Sequence, residues 1–110
     1  MSTIDPDKLN FQKLDGLLPA IIQDSQTKAV LMLGFMDQAA LRQTIKTKKV
    51  TFWSRTRQKL WQKGEESGNT LLVQSITADC DDDTLLISVV PRGPACHTGA
   101  DSCFAASDKG

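Results

Sequence analysis

The sequence predicts an α+β fold, a single small domain built on a mainly antiparallel sheet with one principal helix. Three observations carry this expectation. Short apolar runs of strand length recur with turn residues between them, only one stretch has helical spacing, and 110 residues support one hydrophobic core and little more. Strands joined by consecutive hairpins lie antiparallel.

The elements follow in order. Residues 28–35, KAVLMLGF, form an apolar run closed by Gly34, and Asp37 beyond it is suited to cap a helix. That helix is expected to run to about Lys48. Leu41 and Ile45 lie four apart with Ala40 and Thr44 beside them, a modest apolar stripe that should rest on a sheet. Residues 50–56 and 59–63 read as the two strands of a hairpin, and Ser67, Gly68 and Asn69 turn the chain into a long strand, 70–80. The aspartates at 79–83 make the next turn, residues 85–90 return as a strand, and Pro91, Gly93 and Pro94 end regular structure just before Cys96. A few residues past Cys103 the composition turns small and polar, and the tail is expected to fray.

Hydrophobic residues make up 40% of the chain and charged residues 24%, near the usual values for a globular domain. The formal net charge is zero, which provides no global field to hold DNA or an anionic membrane. The start, MSTIDPDKLNFQK, lacks the basic and apolar run of a signal peptide, and no segment has the roughly 18 apolar residues that span a bilayer. Three cysteines cannot all pair within one chain, and a reducing compartment keeps thiols free, so the cytoplasm is the expected location. Oligomerisation would help so small a chain.

The charges are nevertheless segregated. From Arg42 to Lys63 there are eight basic residues and no acid, and between Thr77 and Thr84 four aspartates and no base. Lys46, Lys48 and Lys49 are read as solvating the end of the helix, where cations complement the dipole. In the hairpin, alternation places Trp53, Arg55 and Arg57 on one strand face and Lys59, Trp61 and Lys63 on the other strand. Arginine forks match phosphate oxygens and tryptophan faces stack on bases, so this hairpin is suited to grip a nucleotide. The same tryptophans are also suited to fill a core or a subunit interface.

Cys80 sits inside DCDDD at 79–83, and sixteen residues later PACHTGADSC at 94–103 carries Cys96, Cys103 and the lone His97. Three thiolates fill all but one of the tetrahedral positions of zinc, while Asp79, Asp81 and Asp83 suit a hard cation such as magnesium. A catalytic zinc keeps its last position free for water, and a structural zinc has it closed. His97 is placed either to close it or to serve as an acid or base.

These residues resemble the phosphoribosyl-AMP cyclohydrolase family of histidine biosynthesis. The resemblance runs from about Val30 to Phe104 and rests on VLMLGFM at 30–36, TFWSRTRQKLWQKGEESGN at 51–69, ADCDDD at 78–83 and GPACHTGADSCF at 93–104. It implies one cyclohydrolase-like domain over 1–110. Many bacterial members are fused to a phosphoribosyl-ATP pyrophosphohydrolase domain, and the stand-alone form is expected here.

The resemblance also implies a reaction, in which water attacks C6 of the substrate's adenine ring and the N1–C6 bond breaks to give the formimino carboxamide ribonucleotide. Carried over, Cys80, Cys96 and Cys103 bind zinc, Asp79, Asp81 and Asp83 bind magnesium, and His97 assists proton transfer. Trp53, Arg55, Arg57, Lys63, Ser67, Gly68 and Asn69 are candidates for holding the substrate and its two phosphates. A homodimer is implied too, with Cys80 of one chain meeting Cys96 and Cys103 of the other. If the strand persists through position 83, alternation points Cys80 away from the three aspartates. Two other classes stay open on the residues alone. One is a zinc-linked dimerisation module without catalysis, favoured if His97 closes the zinc site. The other is a nucleobase deaminase, whose H-x-E and P-C-x-x-C signature the chain lacks.

Overall fold

The computed structural model describes residues 4–12, 14–65, 68–93 and 104. After a single 3-10 turn at Pro6–Lys8 come β1 (Leu18–Asp24), β2 (Val30–Met36), α1 (Gln38–Thr47), β3 (Thr51–Ser54), β4 (Lys59–Gln62), β5 (Leu71–Ala78) and β6 (Leu85–Pro91).

Alternating burial along leucine- and isoleucine-rich runs builds a four-stranded sheet in the order β2-β1-β6-β5. The β1–β2 and β5–β6 pairs are antiparallel, whereas β1 and β6 run parallel, with Ala20 opposite Leu85 and Ile22 opposite Ile87. One face carries the core. Leu18, Ala20 and Ile22 of β1 meet Leu85, Ile87 and Val89 of β6 there, all fully buried, with Met32 and Met36 of β2 and Leu71, Val73 and Ile76 of β5 beside them. The odd-to-even switch within β5 has a local cause: the register with β6 slips between Val73 and Ser75, and the extra residue of this bulge returns Ile76 to the core side.

Helix α1 and the β3–β4 hairpin cover this face. Asp37 caps the helix by accepting a hydrogen bond from the Ala40 amide at 2.7 Å, and Lys48 ends it in the left-handed region at φ 62°. Ala40, Leu41 and Thr44 are buried and Ile45 is half-buried, which is the stripe expected of this helix. The Thr44 hydroxyl donates to the Ala40 carbonyl at 2.9 Å and accepts from the Thr51 amide at 3.0 Å, tying α1 to β3. Phe52 and Trp61 face each other across the hairpin with ring centroids 5.9 Å apart, so Trp61 serves the core rather than a base.

The chain is thus one small domain with one α-helix among the described residues and a mainly antiparallel sheet. Three expectations need correction. Strand β1 is additional, and its parallel pairing with β6 makes the sheet mixed. The hairpin strands stop at Ser54 and begin again at Lys59, so Arg55 and Arg57 lie in the connecting turn and do not alternate along a strand. Strand β5 ends at Ala78, two residues before Cys80, so alternation does not set the direction of Cys80. The expected fraying of the tail concerns residues 105–110, outside the described set. No helix among the described residues is long and apolar enough to cross a membrane.

The pairing sorts the loops by end. The chain entering β1, the chain leaving β2 at Asp37 and the turn between β5 and β6 all lie at one end of the sheet. Residues 25–29, 68–70 and 92–93 lie at the other.

Candidate active site

At the first end a cleft of about 540 Å³ opens between the hairpin and the segment that enters β1. Among the described residues Asp15, Gly16, Leu17, Asp37, Trp53, Arg55 and Gln58 line it. Its volume falls within the usual range for small-molecule sites. Trp53, one residue before the end of β3, is half-buried, and Arg55 lies just beyond the strand in the turn. The Arg55 guanidinium rests 4.3 Å above the ring of Phe35, a cation–π contact that holds the side chain at the rim. Gln58 adopts φ 56° and donates from its side-chain Nε2 to the Arg55 carbonyl at 2.8 Å, closing the turn. The cleft therefore carries an aromatic face, a fixed cation and two carboxylates.

The acidic turn is built by its own backbone. Asp79 Oδ1 accepts from the amides of Asp83 at 3.1 Å and Thr84 at 3.3 Å, and the Asp82 amide donates to the Asp79 carbonyl at 3.1 Å. Asp82 sits at φ 57° to complete the turn. This geometry leaves Cys80 exposed, with its Sγ donating to Asp81 Oδ1 at 3.3 Å. Thiol and carboxylate therefore share one side of the turn. The hydrogen bond to Asp81 raises the Cys80 pKa above that of an ordinary thiol, and local desolvation and the charges of Asp79 and Asp83 add to it. The Asn10 amide donates to the Asp82 carbonyl at 2.7 Å, which binds the N-terminal segment to this turn.

The remaining predicted residues divide. Arg57 is exposed in the hairpin turn with its amide donating to Ser54 Oγ at 3.2 Å, and Lys63 lies with its ammonium 5.4 Å from the Trp61 ring; neither lines the cleft. Gly68 and Asn69 stand at the opposite end of the sheet. Asn69 packs so closely on Gly93 that a β-carbon there would collide with its side-chain oxygen, so it fixes the backbone from which the Cys96 segment departs. Ser67, Cys96, His97 and Cys103 lie outside the described residues. Among the described residues no three His, Cys, Asp or Glu side chains gather closely enough to hold a metal ion. The donor types on the turn nonetheless fit: an exposed thiol for a soft cation and carboxylates for a hard one.

The sequence profile of the phosphoribosyl-AMP cyclohydrolase family matches residues 32–105, about two thirds of the chain. The chain belongs to this family. It is 62% identical over 97 residues to the histidine biosynthesis bifunctional protein HisIE of Bacteroides thetaiotaomicron, covering 88% of the chain and 48% of that protein. Against the same-named protein of Haemophilus influenzae it is 60% identical over 97 residues, covering 88% and 44%. Against that of Vibrio cholerae it is 53% identical over 98 residues, covering 89% and 47%. The chain thus spans about half the length of the curated relatives it matches.

Asp15, Gly16, Leu17, Asp37 and Gln58 are cleft residues that sequence reasoning did not assign to the site. Asp37 was read only as a helix cap. The Asp15-Gly16 pair between two leucines is a recognisable tight-turn signal, and it is the one that could have pointed to this wall.

Proposed function

We propose that the chain hydrolyses the adenine ring of phosphoribosyl-AMP, adding water at C6 and opening the N1–C6 bond to give the formimino carboxamide ribonucleotide of histidine biosynthesis. The observation that carries this reading is that, in a member of the cyclohydrolase family, the cleft bearing Trp53 and Arg55 opens at the same end of the sheet as the Asp79–Asp83 turn. In this reading Trp53 offers a stacking face for the purine and Arg55 a fork for a phosphate. Arg57 and Lys63 stand apart from the cleft and are available only to a part of the substrate that projects beyond it.

Cys80, Cys96 and Cys103 would hold zinc, and Asp79, Asp81 and Asp83 magnesium. When bound, these metals would supply a Lewis acid for water and positive charge for substrate oxygens. His97 takes the proton from the attacking water and returns it to the departing ring nitrogen. Chain reach supports zinc shared between two chains. Cys80 follows β5 at one end of the sheet and Gly93 follows β6 at the other, and the seven residues of β6 span about 20 Å. The three residues from Gly93 to Cys96 extend at most about 11 Å. Cys96 therefore falls short of the Cys80 of its own chain, which favours Cys80 meeting Cys96, and Cys103 with it, from a second copy. Support for a homodimer also comes from the outer face of the sheet, where Leu33, Ile21 and Leu86 form one cross-strand row with Leu33 45% and Leu86 41% exposed.

Incubating the purified protein with phosphoribosyl-AMP and following ring opening by absorbance tests the activity directly. Replacing Cys80, Cys96 or Cys103 by serine is expected to remove both zinc and turnover; full zinc and full activity in any of the three sinks the ligand assignment.

A further inference from the structure

We propose that the Leu14–Leu17 turn is a ribose-recognition element of the cleft, in which the Asp15 carboxylate accepts hydrogen bonds from the vicinal hydroxyls of a ribonucleotide whose base and phosphate face Trp53 and Arg55. This rests on the cleft being the nucleotide site. The turn precedes residues 32–105, the span matched by the family profile.

The turn is rigid by construction. Asp15 and Gly16 both occupy the left-handed half of backbone space, at φ 55° and 92°, and the Leu17 amide donates to the Leu14 carbonyl at 3.1 Å. The Gly16 amide donates in turn to the Phe11 carbonyl at 2.7 Å. Such a turn needs a residue tolerant of positive φ at position 15, and glycine or asparagine serves that need as well as aspartate. The backbone therefore explains a small residue there and leaves the negative charge unexplained.

The other carboxylate of the cleft is engaged and its cation is held in place. Asp37 Oδ1 holds the first turn of α1 through the Ala40 amide, and Arg55 is seated on Phe35. Asp15 is exposed, lines the cleft, and has no hydrogen-bond or ion-pair partner among the described residues. An ionised carboxylate only accepts, so it calls for a ligand with donors. A phosphate is repelled by it and goes to Arg55. A vicinal diol matches it, as acidic side chains match ribose hydroxyls in other nucleotide folds.

Titration calorimetry of the full chain with AMP and 2′-deoxy-AMP tests this. The unmodified protein should bind AMP about tenfold more tightly than its 2′-deoxy analogue, the order expected for one charge-assisted hydrogen bond in a partly solvated site. Asp15→Gly suits the positive φ and should bring that preference within about twofold, and Asp15→Asn should fall between the two. An active enzyme in which Asp15→Gly keeps the whole ribose preference, or an unmodified protein with no preference, overturns the role of the turn and leaves the activity standing. A protein that shows the predicted preference and its loss, yet opens no ring, overturns the activity instead.

Discussion

Phe52 lies so close over Gly34 that a β-carbon at position 34 would stand 2.5 Å from the edge of its ring. The contact seats the hairpin on β2, and Trp53, the next residue, is thereby delivered to the cleft. A methyl group at this position has no room. Gly34→Ala is expected to lower stability by about 1–3 kcal/mol, the usual range for overpacking a filled core. Urea unfolding of the two proteins measures it. An unchanged midpoint would mean that the ring of Phe52 moves freely and does not hold the hairpin.

Cys80 provides a pH-dependent readout. Its hydrogen bond to Asp81, with lesser contributions from desolvation and from the charges of Asp79 and Asp83, favours the protonated thiol. A raised pKa leaves less thiolate near neutral pH than an ordinary cysteine has, and thiolate is the reactive form. In metal-free protein, alkylation of Cys80 by iodoacetamide should therefore be slow near neutrality and rise only in a more alkaline window. Asp81→Asn should move the profile to lower pH. Peptide-resolved mass spectrometry follows the rate; identical profiles for the two proteins would show that the contact with Asp81 does not govern the thiol.

The aspartates of the same turn carry a separate prediction. Asp81→Asn should weaken magnesium-dependent activity while zinc stoichiometry stays intact, because the two metals favour different donors. Excess magnesium should restore part of the loss. Full activity of the variant at limiting magnesium would reduce these residues to a solvated turn.

His97 should matter for rate above all. His97→Asn is expected to lower kcat by about 10²–10⁴, the contribution typical of a general acid–base group, with zinc content unchanged. Loss of zinc from the variant would reassign the histidine as a ligand. Unaltered turnover with metal retained would pass the proton transfer to a carboxylate.

The features legible in the sequence are those with a local physical signature. Helical spacing of Leu41 and Ile45 and the Asp37 cap located α1, and alternation with turn residues located β2, β5, β6 and the hairpin. Strand β1 escaped because Pro19 interrupts its apolar run, and proline ordinarily argues against a central strand. Here the pairing of β1 with β6 begins only at Ala20, one residue beyond the proline. Trp53 and Arg55, which line the cleft, stood out in the sequence because aromatic and cationic groups interleave there. Their opposite wall, Asp15 to Leu17, was not, since no periodicity connects residues brought together by a sheet. Alternation also fails where β5 stops at Ala78, which is why the orientation of Cys80 had to come from the turn.

The parallel pairing of Ala20 with Leu85 has a consequence for how the chain assembles. During synthesis β1 and β2 can close as a hairpin early, but the inner edge of β1 stays unsatisfied until β6 emerges. The intervening chain must then close as one long loop, a slow, entropy-limited event compared with hairpin formation. A chain ending before Leu85 loses more than an outer strand. The order β2-β1-β6-β5 separates into a lone hairpin and an isolated β5, leaving Leu18, Ala20 and Ile22 without the strand that flanks them.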